Sequence, residues 1–148
     1  MVVPSRKNSI QLMKIVLDTN CLVNVIMPGS YNNDVWQAFR ANKYVLCVTN
    51  EILSEYHEIL TKRYNIVIAN TVLKELVETS NVERVNPSFR FNLITTDPDD
   101  NKFVDCAITA GATFIVSNDR HFNELQQYDF PKVDVRTLPE FLEIVRKL

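Results

Sequence analysis

The chain has 148 residues, of which 46% are hydrophobic and 23% charged, and its formal net charge is -2. This length suits one domain, and the composition excludes a disordered tail, a collagen-like repeat and a strongly basic nucleic-acid coat. The two glycines, Gly29 and Gly111, lie far apart in the sequence, which excludes a P-loop and a G-x-G-x-x-G dinucleotide loop.

The cysteines and histidines lack the spacing of a redox or zinc motif. Cys21, Cys47 and Cys106 form no CxxC pair and have apolar neighbours, so we expect buried thiols in a reducing compartment. His57 and His121 form no HExxH motif, and we expect both at the surface or rim.

The sequence contains no targeting signal that we recognise. No apolar run approaches the ~18 residues that span a bilayer, and the first thirteen residues lack the apolar stretch of a signal peptide. We therefore expect a cytoplasmic protein without a membrane partner. Residues 1–12 are predicted to be an extension, and residues 13–148 a single domain.

The predicted elements alternate short apolar strands with longer helices. In chain order they are a strand at 14–17, a turn at 18–20, a helix at 34–42, a strand at 44–48, helices at 49–63 and 70–79, a helix at 97–111, strands at 113–116 and 133–135, and a helix at 137–148. Thr49 and Asp97 are predicted N-caps, Gly111 a C-terminal glycine, and Thr137 with Glu140 a capping box.

Strands without strict alternation, separated by helices, predict an α/β fold with a central, mainly parallel sheet covered on both faces. In such sheets the working site lies beyond the carboxyl ends of the strands. The residues that follow each strand are therefore the candidates for function.

Acidic residues occupy these positions. Asp18 directly follows the first strand, and Asp119 follows the strand at 113–116. Glu55 lies in the helix that leaves the second strand, and Asp99 and Asp100 lie in the first turn of the helix at 97–111. We expect them to gather at one rim of the sheet.

Helical spacing of about 100° per residue ranks the helical acids. In the helix at 49–63, Glu55 lies nearest the edge of the apolar arc, whereas Glu51 and Glu58 face outward. In the helix at 97–111, Asp100 projects within the apolar arc and Asp105 points away. Asp105 is therefore the second-ranked candidate on that helix.

Each acid taken singly also has an ordinary structural use, as an Asx-turn, a partner of a helix dipole or a solvated face. Several carboxylates within a few ångströms, however, repel one another by ~4 kcal/mol per close pair at an effective dielectric near 20. No lysine is placed by the sequence pattern to neutralise them. A hard divalent cation such as Mg²⁺ or Mn²⁺ resolves the repulsion, and phosphodiester hydrolysis is the reaction that follows.

The same segments resemble the PIN domain family. Residues 14–20, Lys-Ile-Val-Leu-Asp-Thr-Asn, look like its opening strand and first acid, and Glu55 resembles its second acid. Residues 100–108 and 114–119 resemble the block that carries the third and fourth acids. The resemblance spans residues 14 to about 145, nearly the whole chain.

This resemblance implies a three-layer α/β/α sandwich and a Mg²⁺- or Mn²⁺-dependent endoribonuclease. The catalytic and metal-binding residues it implies are Asp18, Glu55, Asp100 and Asp119, with Asp105 as the alternative third acid. Thr19, Asn20 and Ser117 are implied to support them, and Ser117 replaces the threonine that is more frequent in the family. No residue is assigned to an organic cofactor.

Short bacterial members of the family include the VapC-type toxins of toxin–antitoxin pairs, and residues 97–101 look like one branch of these. The resemblance therefore implies an RNA substrate, an antitoxin protein and a homodimer. Two alternatives stay open, an RNA-processing PIN nuclease without antitoxin and a non-catalytic RNA- or protein-binding module of the same fold.

Residues that contact RNA are assigned by sequence position only. Lys102, Arg120 and Arg63 are candidate phosphate contacts, although a solvated charge is the alternative for each. Tyr31 and Trp36 are candidate base-stacking residues, but Trp36 is expected to pack in the core with its helical neighbours.

Overall fold

The computed structural model of the protein describes residues 11–148. The predicted extension over residues 1–12 lies almost wholly outside the described residues and stays a prediction. Among residues 11–148, every helix is too short or too polar to cross a bilayer.

The centre of the fold is a five-stranded sheet in which all neighbouring strands are parallel. Its strands are β1 (Lys14–Leu17), β2 (Val45–Val48), β3 (Val82–Arg84), β4 (Phe114–Val116) and β5 (Val135–Arg136), in the spatial order β3-β2-β1-β4-β5. Helices cover both faces of this sheet. The predicted fold class, an α/β sandwich with a mainly parallel central sheet, is confirmed.

Residues 11–148 contain six α-helices, five between the strands and one after the last strand: α1 (Thr19–Val25), α2 (Asn33–Arg40), α3 (Asn50–Arg63), α4 (Ile66–Glu78), α5 (Asn101–Ala110) and α6 (Leu138–Arg146). Two 3₁₀ segments, Pro98–Asp100 and Arg120–Gln127, precede α5 and follow β4. The predicted caps at Thr49, Gly111 and Thr137 are present, and Gly111 has the left-handed φ of 65° that ends α5.

The structure differs from the sequence prediction at several boundaries. The predicted turn after β1 is the start of α1, with Asp18 as its N-cap. This helix has only seven residues, and its exposed positions are Asn20 and Asn24 alone, so it is too short for helical periodicity to be recognised. Strand β3 was not predicted because its three residues, Val-Glu-Arg, lie at the sheet edge and carry one apolar side chain.

The core is formed by the two faces of β1 and by aromatic residues from the helices. Ile15, Val16 and Leu17 are fully buried, as expected for a central parallel strand covered on both faces. Trp36 is also buried and stacks on Phe39, with 4.9 Å between ring centroids, which confirms its predicted packing role. All three cysteines are buried and none is in a disulfide within the described chain.

The strand order sets the position of the site. Strand β1 pairs with β2 on one side and β4 on the other, so the connections on its two sides leave the sheet in different directions and a crevice opens at their carboxyl ends. The register pairs Leu17 with Val116. The next residues along, Asp18 and Ser117, therefore lie side by side at this rim.

Candidate metal centre

Asp18 is held at the end of β1 by two hydrogen bonds. Its Oδ1 accepts from the Cys21 amide at 2.9 Å, and its Oδ2 accepts a short hydrogen bond from the Ser117 hydroxyl. The same hydroxyl oxygen accepts from the Asp119 amide at 3.0 Å. Ser117 thus links the acids that follow β1 and β4.

Four side chains form a compact group beside Asp18, which we call the acidic cluster. Asp97, Asp100, Asp119 and His121 each offer a ligand atom, and these atoms all lie within 4.8 Å of one another. Nδ1 of His121 lies 3.0 Å from Oδ1 of Asp119, 3.5 Å from Asp97 and 3.7 Å from Asp100. The sequence expectation that acids converge at this rim is met for Asp100 and Asp119, with Asp18 alongside.

Asp100 is the most perturbed member of the acidic cluster. Burial, together with the negative charges of Asp119, Asp97 and Asp18 and a hydrogen bond with Asp119, raises the pKa of its carboxyl group from 3.8 to about 7. Its Oδ2 atom is buried and has no hydrogen-bond partner among residues 11–148. A buried oxygen without a hydrogen-bond partner lowers the stability of a folded protein. A bound cation or a proton on this carboxyl group would remove that penalty.

Glu55 lies beside Asp18 but has different neighbours. The Tyr56 hydroxyl donates to the Leu17 carbonyl at 2.5 Å, and this bond places α3 across the end of β1. Glu55 Oε2 then accepts a short hydrogen bond from the Thr19 hydroxyl, while its Oε1 lies 2.7 Å from the Lys102 ammonium. The expectation that no lysine neutralises these acids is wrong for Glu55.

Lys102 also departs from the expectation of a solvated charge. It is one of the few buried charged residues of the described chain, because its ammonium is surrounded by Glu55 and by the side chain and carbonyl of Asp99. Burial lowers the pKa of Lys102, but hydrogen bonds to Glu55 and Asp99 outweigh it and raise the pKa overall. A lysine so enclosed is not available as a surface phosphate contact.

Asp105, the alternative third acid, lies outside the acidic cluster. Helical spacing predicts that it points away from the core, whereas its side chain is buried. The reason is that α5 is covered on nearly all sides, and the loop before it packs against the face that bears Asp105. There its Oδ1 accepts from the Phe91 amide at 3.1 Å.

Besides the bond from Phe91 to Asp105, two groups of hydrogen bonds hold the loop between β3 and α5. They lie close to Asp97 in sequence and so restrict its position. Asn101 forms a pair of hydrogen bonds with the amide and carbonyl of Ile94, each 2.9 Å long. Glu124 accepts from the amides of Thr95 and Thr96 at 3.0 Å and 2.8 Å and from both hydroxyl groups. These bonds lower the pKa of Glu124 to about 2, chiefly through Thr96.

The remaining predicted residues lie at the margin or elsewhere. Asn20 is exposed in the first turn of α1, and Tyr31 is exposed beneath the Arg146 guanidinium, 5.5 Å from its ring centroid. Arg120 lines a cavity of about 510 Å³ next to Asp119, together with Lys132 and Arg136. Arg63 is exposed in the last turn of α3.

For three residues of the site, Asp97, His121 and Lys102, the structure shows contacts that the sequence analysis did not predict. Asp97 was assigned as an N-cap, but its side chain makes no capping bond and instead joins the acidic cluster. His121 was expected only at the rim, where it lies, yet it contacts three carboxylates. The signal for both was proximity in sequence, since Asp97 and Asp100 are three residues apart across a turn and His121 follows Asp119 by two. The pairing of Lys102 with Glu55 carried no such signal, because the two residues are far apart in sequence.

The donor set suits a hard divalent cation. Carboxylate oxygens are the ligands that Mg²⁺ and Mn²⁺ prefer, and Mn²⁺ also accepts imidazole nitrogen. The partnerless Oδ2 of Asp100 and the mutual repulsion of the acids are the observations that indicate a cation. Asp18, Asp97, Asp100 and Asp119 would hold it, with His121 at the edge.

Comparison with known proteins agrees with the fold. A sequence model described as the PIN domain matches residues 14–121. No curated protein sequence matches the chain significantly.

Two solved structures share the fold over most of the chain. The crystal structure of VapBC2 from Rickettsia felis, bound to a DNA fragment from their promoter, aligns with a TM-score of 0.57 and 18% identity and covers 84% of this chain and 98% of that one. The crystal structure of DNA-bound VapBC from Salmonella typhimurium aligns with a TM-score of 0.55 and 17% identity and covers 86% and 99%. At these identities the likeness shows the fold alone.

Proposed function

This chain belongs to the PIN domain family, and on that premise we propose that it is a Mg²⁺- or Mn²⁺-dependent endoribonuclease that hydrolyses RNA phosphodiester bonds. The observation that carries the proposal is the convergence of Asp97, Asp100 and Asp119 beside Asp18 at the carboxyl ends of β1 and β4. Residues nearly a hundred positions apart in sequence meet there, which an isolated capping role for each acid does not require.

Each residue of the site has a distinct part in this proposal. A bound divalent ion lowers the pKa of a water molecule and stabilises negative charge on the phosphoryl group. Asp18, Asp100 and Asp119 bind and orient the ion. Ser117 and the Cys21 amide hold the Asp18 carboxylate in one orientation, and the Asn101 and Glu124 hydrogen bonds fix the loop that presents Asp97.

The RNA backbone needs positive charge near this acidic rim because the chain as a whole is acidic. Arg120, Lys132 and Arg136 line a cavity next to the acidic cluster, together with three acids, Asp119, Asp134 and Glu140. We assign RNA phosphate contacts to the three basic residues, which keeps Arg120 from the sequence candidates and replaces Lys102.

We further propose that the protein is the toxin of a toxin–antitoxin pair, that it forms a homodimer, and that it acts in the cytoplasm. The support is the fold shared with the two VapBC structures over more than four-fifths of this chain. Growth arrest on expression, relieved by the product of a small neighbouring gene, is the expected result. A nuclease that cleaves RNA but causes no arrest would instead fit an RNA-processing role without antitoxin.

The central test is RNA cleavage by the purified protein with Mn²⁺ and with excess chelator. We expect Asp18→Asn and Asp119→Asn each to lower the cleavage rate by at least about 10²-fold, because each removes a ligand of the ion, and loss of even an outer hydrogen-bond partner of a metal ligand costs about 10–100-fold. Asp129→Asn, at an exposed position outside the cluster, is the matched control and should retain full activity. Cleavage that persists in chelator, or in either cluster variant, would contradict the proposed function.

A further inference from the structure

The Lys102 ammonium is enclosed by acceptors at the rim of the sheet. Its side chain is 5% exposed, and Nζ lies 2.7 Å from Glu55 Oε1, 2.9 Å from Asp99 Oδ1 and 2.8 Å from the Asp99 carbonyl. A lysine ammonium has three hydrogens to donate. All three therefore have an acceptor.

Glu55 is satisfied in the same way. Lys102 neutralises one carboxylate oxygen and the Thr19 hydroxyl donates to the other. Asp100 differs, since three acids and the His121 imidazole surround it and its Oδ2 has no hydrogen-bond partner within the described residues. Of the acids that the family resemblance assigns to metal, Glu55 is thus the one already paired with a cation of the chain itself.

A metal ion coordinated by Glu55 would have to lie close to the ammonium on the same carboxylate. Two positive charges at such a distance repel strongly, and more so away from water. Moving Lys102 aside would leave a buried ammonium without its acceptors, which is also unfavourable.

We propose that the centre takes one divalent cation, bound between Asp18 and the acidic cluster, and that the Lys102 ammonium occupies the place beside Glu55 where a second cation would otherwise bind. Glu55 is then a positioning residue for Lys102 and not a metal ligand. This inference rests on the proposed function and specifies the charge arrangement of its site.

The test counts bound ions directly. Mn²⁺ is titrated into the metal-free full-length protein, and free Mn²⁺ is measured by electron paramagnetic resonance, so the result does not depend on activity. We expect one ion per chain in the wild-type protein. Glu55→Gln should also bind one ion with an unchanged dissociation constant, because Glu55 is not a ligand.

Lys102→Met removes the ammonium and keeps the length of the side chain. It frees Glu55 and Asp99, and we expect this variant to bind a second, weaker ion. If the unpaired Glu55 prevents Lys102→Met from folding, the double variant Lys102→Met/Glu55→Gln, which removes both charges, should fold and bind one ion. Circular dichroism of each variant reports whether it has folded.

The outcomes separate this inference from the proposed function. Two ions in the wild-type protein would overturn the one-ion site. A weaker first ion in Glu55→Gln would show that Glu55 is a ligand, and a folded Lys102→Met that still binds one ion would show that the Lys102 ammonium does not exclude a second ion. Each of these results would leave a metal-dependent nuclease in place. A wild-type protein that binds no Mn²⁺ would overturn the proposed function and the inference together.

Discussion

Two carboxyl groups five residues apart, Asp100 and Asp105, have opposite surroundings. Both are largely shielded from solvent, and burial raises the pKa of each. At Asp100 the charges of Asp119, Asp97 and Asp18 act in the same direction as burial, and together they raise its pKa to about 7. Asp105 instead accepts from the Phe91 amide and lies near Arg90, and both oppose the effect of burial on its pKa.

This contrast shows that burial alone does not distinguish a functional acid from a structural one. Asp105 is stabilised by donors and holds a loop in place. The Oδ2 atom of Asp100 accepts no hydrogen bond from residues 11–148, and the His121 imidazole nitrogen lies 3.7 Å from it, so a cation would stabilise the charged form of this carboxyl group. The sign of the charges around a carboxyl group is therefore a better guide to its role than its depth.

Metal binding should separate the two residues by the largest margin. We expect Asp100→Asn to weaken Mn²⁺ binding by about 100-fold or more, a loss that exceeds the effect of removing an outer hydrogen-bond partner. Asp105→Asn should leave the dissociation constant essentially unchanged, because its carboxyl group lies outside the acidic cluster. Isothermal titration calorimetry measures both, and an equal loss in the two variants would remove the distinction.

Stability without metal should change in the opposite direction. The folded pKa of Asp100 lies above its unfolded value of ~3.9, so the stability that its protonation contributes is complete below that pH and lost as the pH rises through about 7. Asp100→Asn does not titrate and should be more stable than the wild-type protein at pH 8, by about 2 kcal/mol.

Thermal unfolding of the metal-free proteins between pH 5 and pH 8 tests this prediction. The advantage of Asp100→Asn should be small at pH 5 and grow toward pH 8. Saturating Mn²⁺ should reverse it, because the ion stabilises only the protein that binds it. A constant difference across this pH range would show that Asp100 does not titrate there.

Loss of the loop anchor should have a smaller and purely structural effect. Asp105→Ala leaves the partly buried Phe91 amide without its acceptor and should cost about 1–2 kcal/mol of stability. Asp105→Asn retains an acceptor oxygen and should recover most of that loss in urea unfolding. If both variants lose RNA cleavage while they stay folded, Asp105 has a role beyond holding the loop.

The smallest effect is expected at Glu124, which fixes Thr95 and Thr96 ahead of Asp97. Its pKa of about 2 lies below the ordinary value, so its contribution to stability is present at neutral pH and lost as the pH falls below about 4. Glu124→Gln should therefore speed amide hydrogen exchange at Thr95 and Thr96 at pH 7, with little change in Mn²⁺ stoichiometry. Unchanged exchange would mean that Asn101 alone holds this loop.

The acids whose position depends on where a strand ends could be predicted from the sequence. Asp18 and Asp119 could be predicted because each follows an apolar run, and parallel strands end at a common edge. Glu55 could be ranked above Glu51 and Glu58 because helical spacing fixes which side of α3 faces the core; both others are exposed.

Contacts between elements that are distant in sequence could not be predicted. The pairing of Lys102 with Glu55 depends on how the start of α5 lies against α3, and no local pattern encodes that arrangement. Asp97 was assigned to a cap because Asp-Pro usually begins a helix, whereas here a 3₁₀ turn directs its side chain into the acidic cluster. Asp105 was predicted to point toward solvent because the analysis of helical spacing assumes that the side of α5 opposite its apolar arc is exposed. In the structure, the loop of residues 85–97 covers that side.

The pairing of β4 with β1 joins residues that are far apart in sequence and are therefore synthesised at different times. Ser117 and Asp18, which share a hydrogen bond, are 99 residues apart. Chains are synthesised at about 5–20 residues per second, from the N-terminus onward. A growing polypeptide that does not yet include Asp119 carries only part of the centre. The complete centre can therefore form only after Asp119 has been synthesised, long after Asp18.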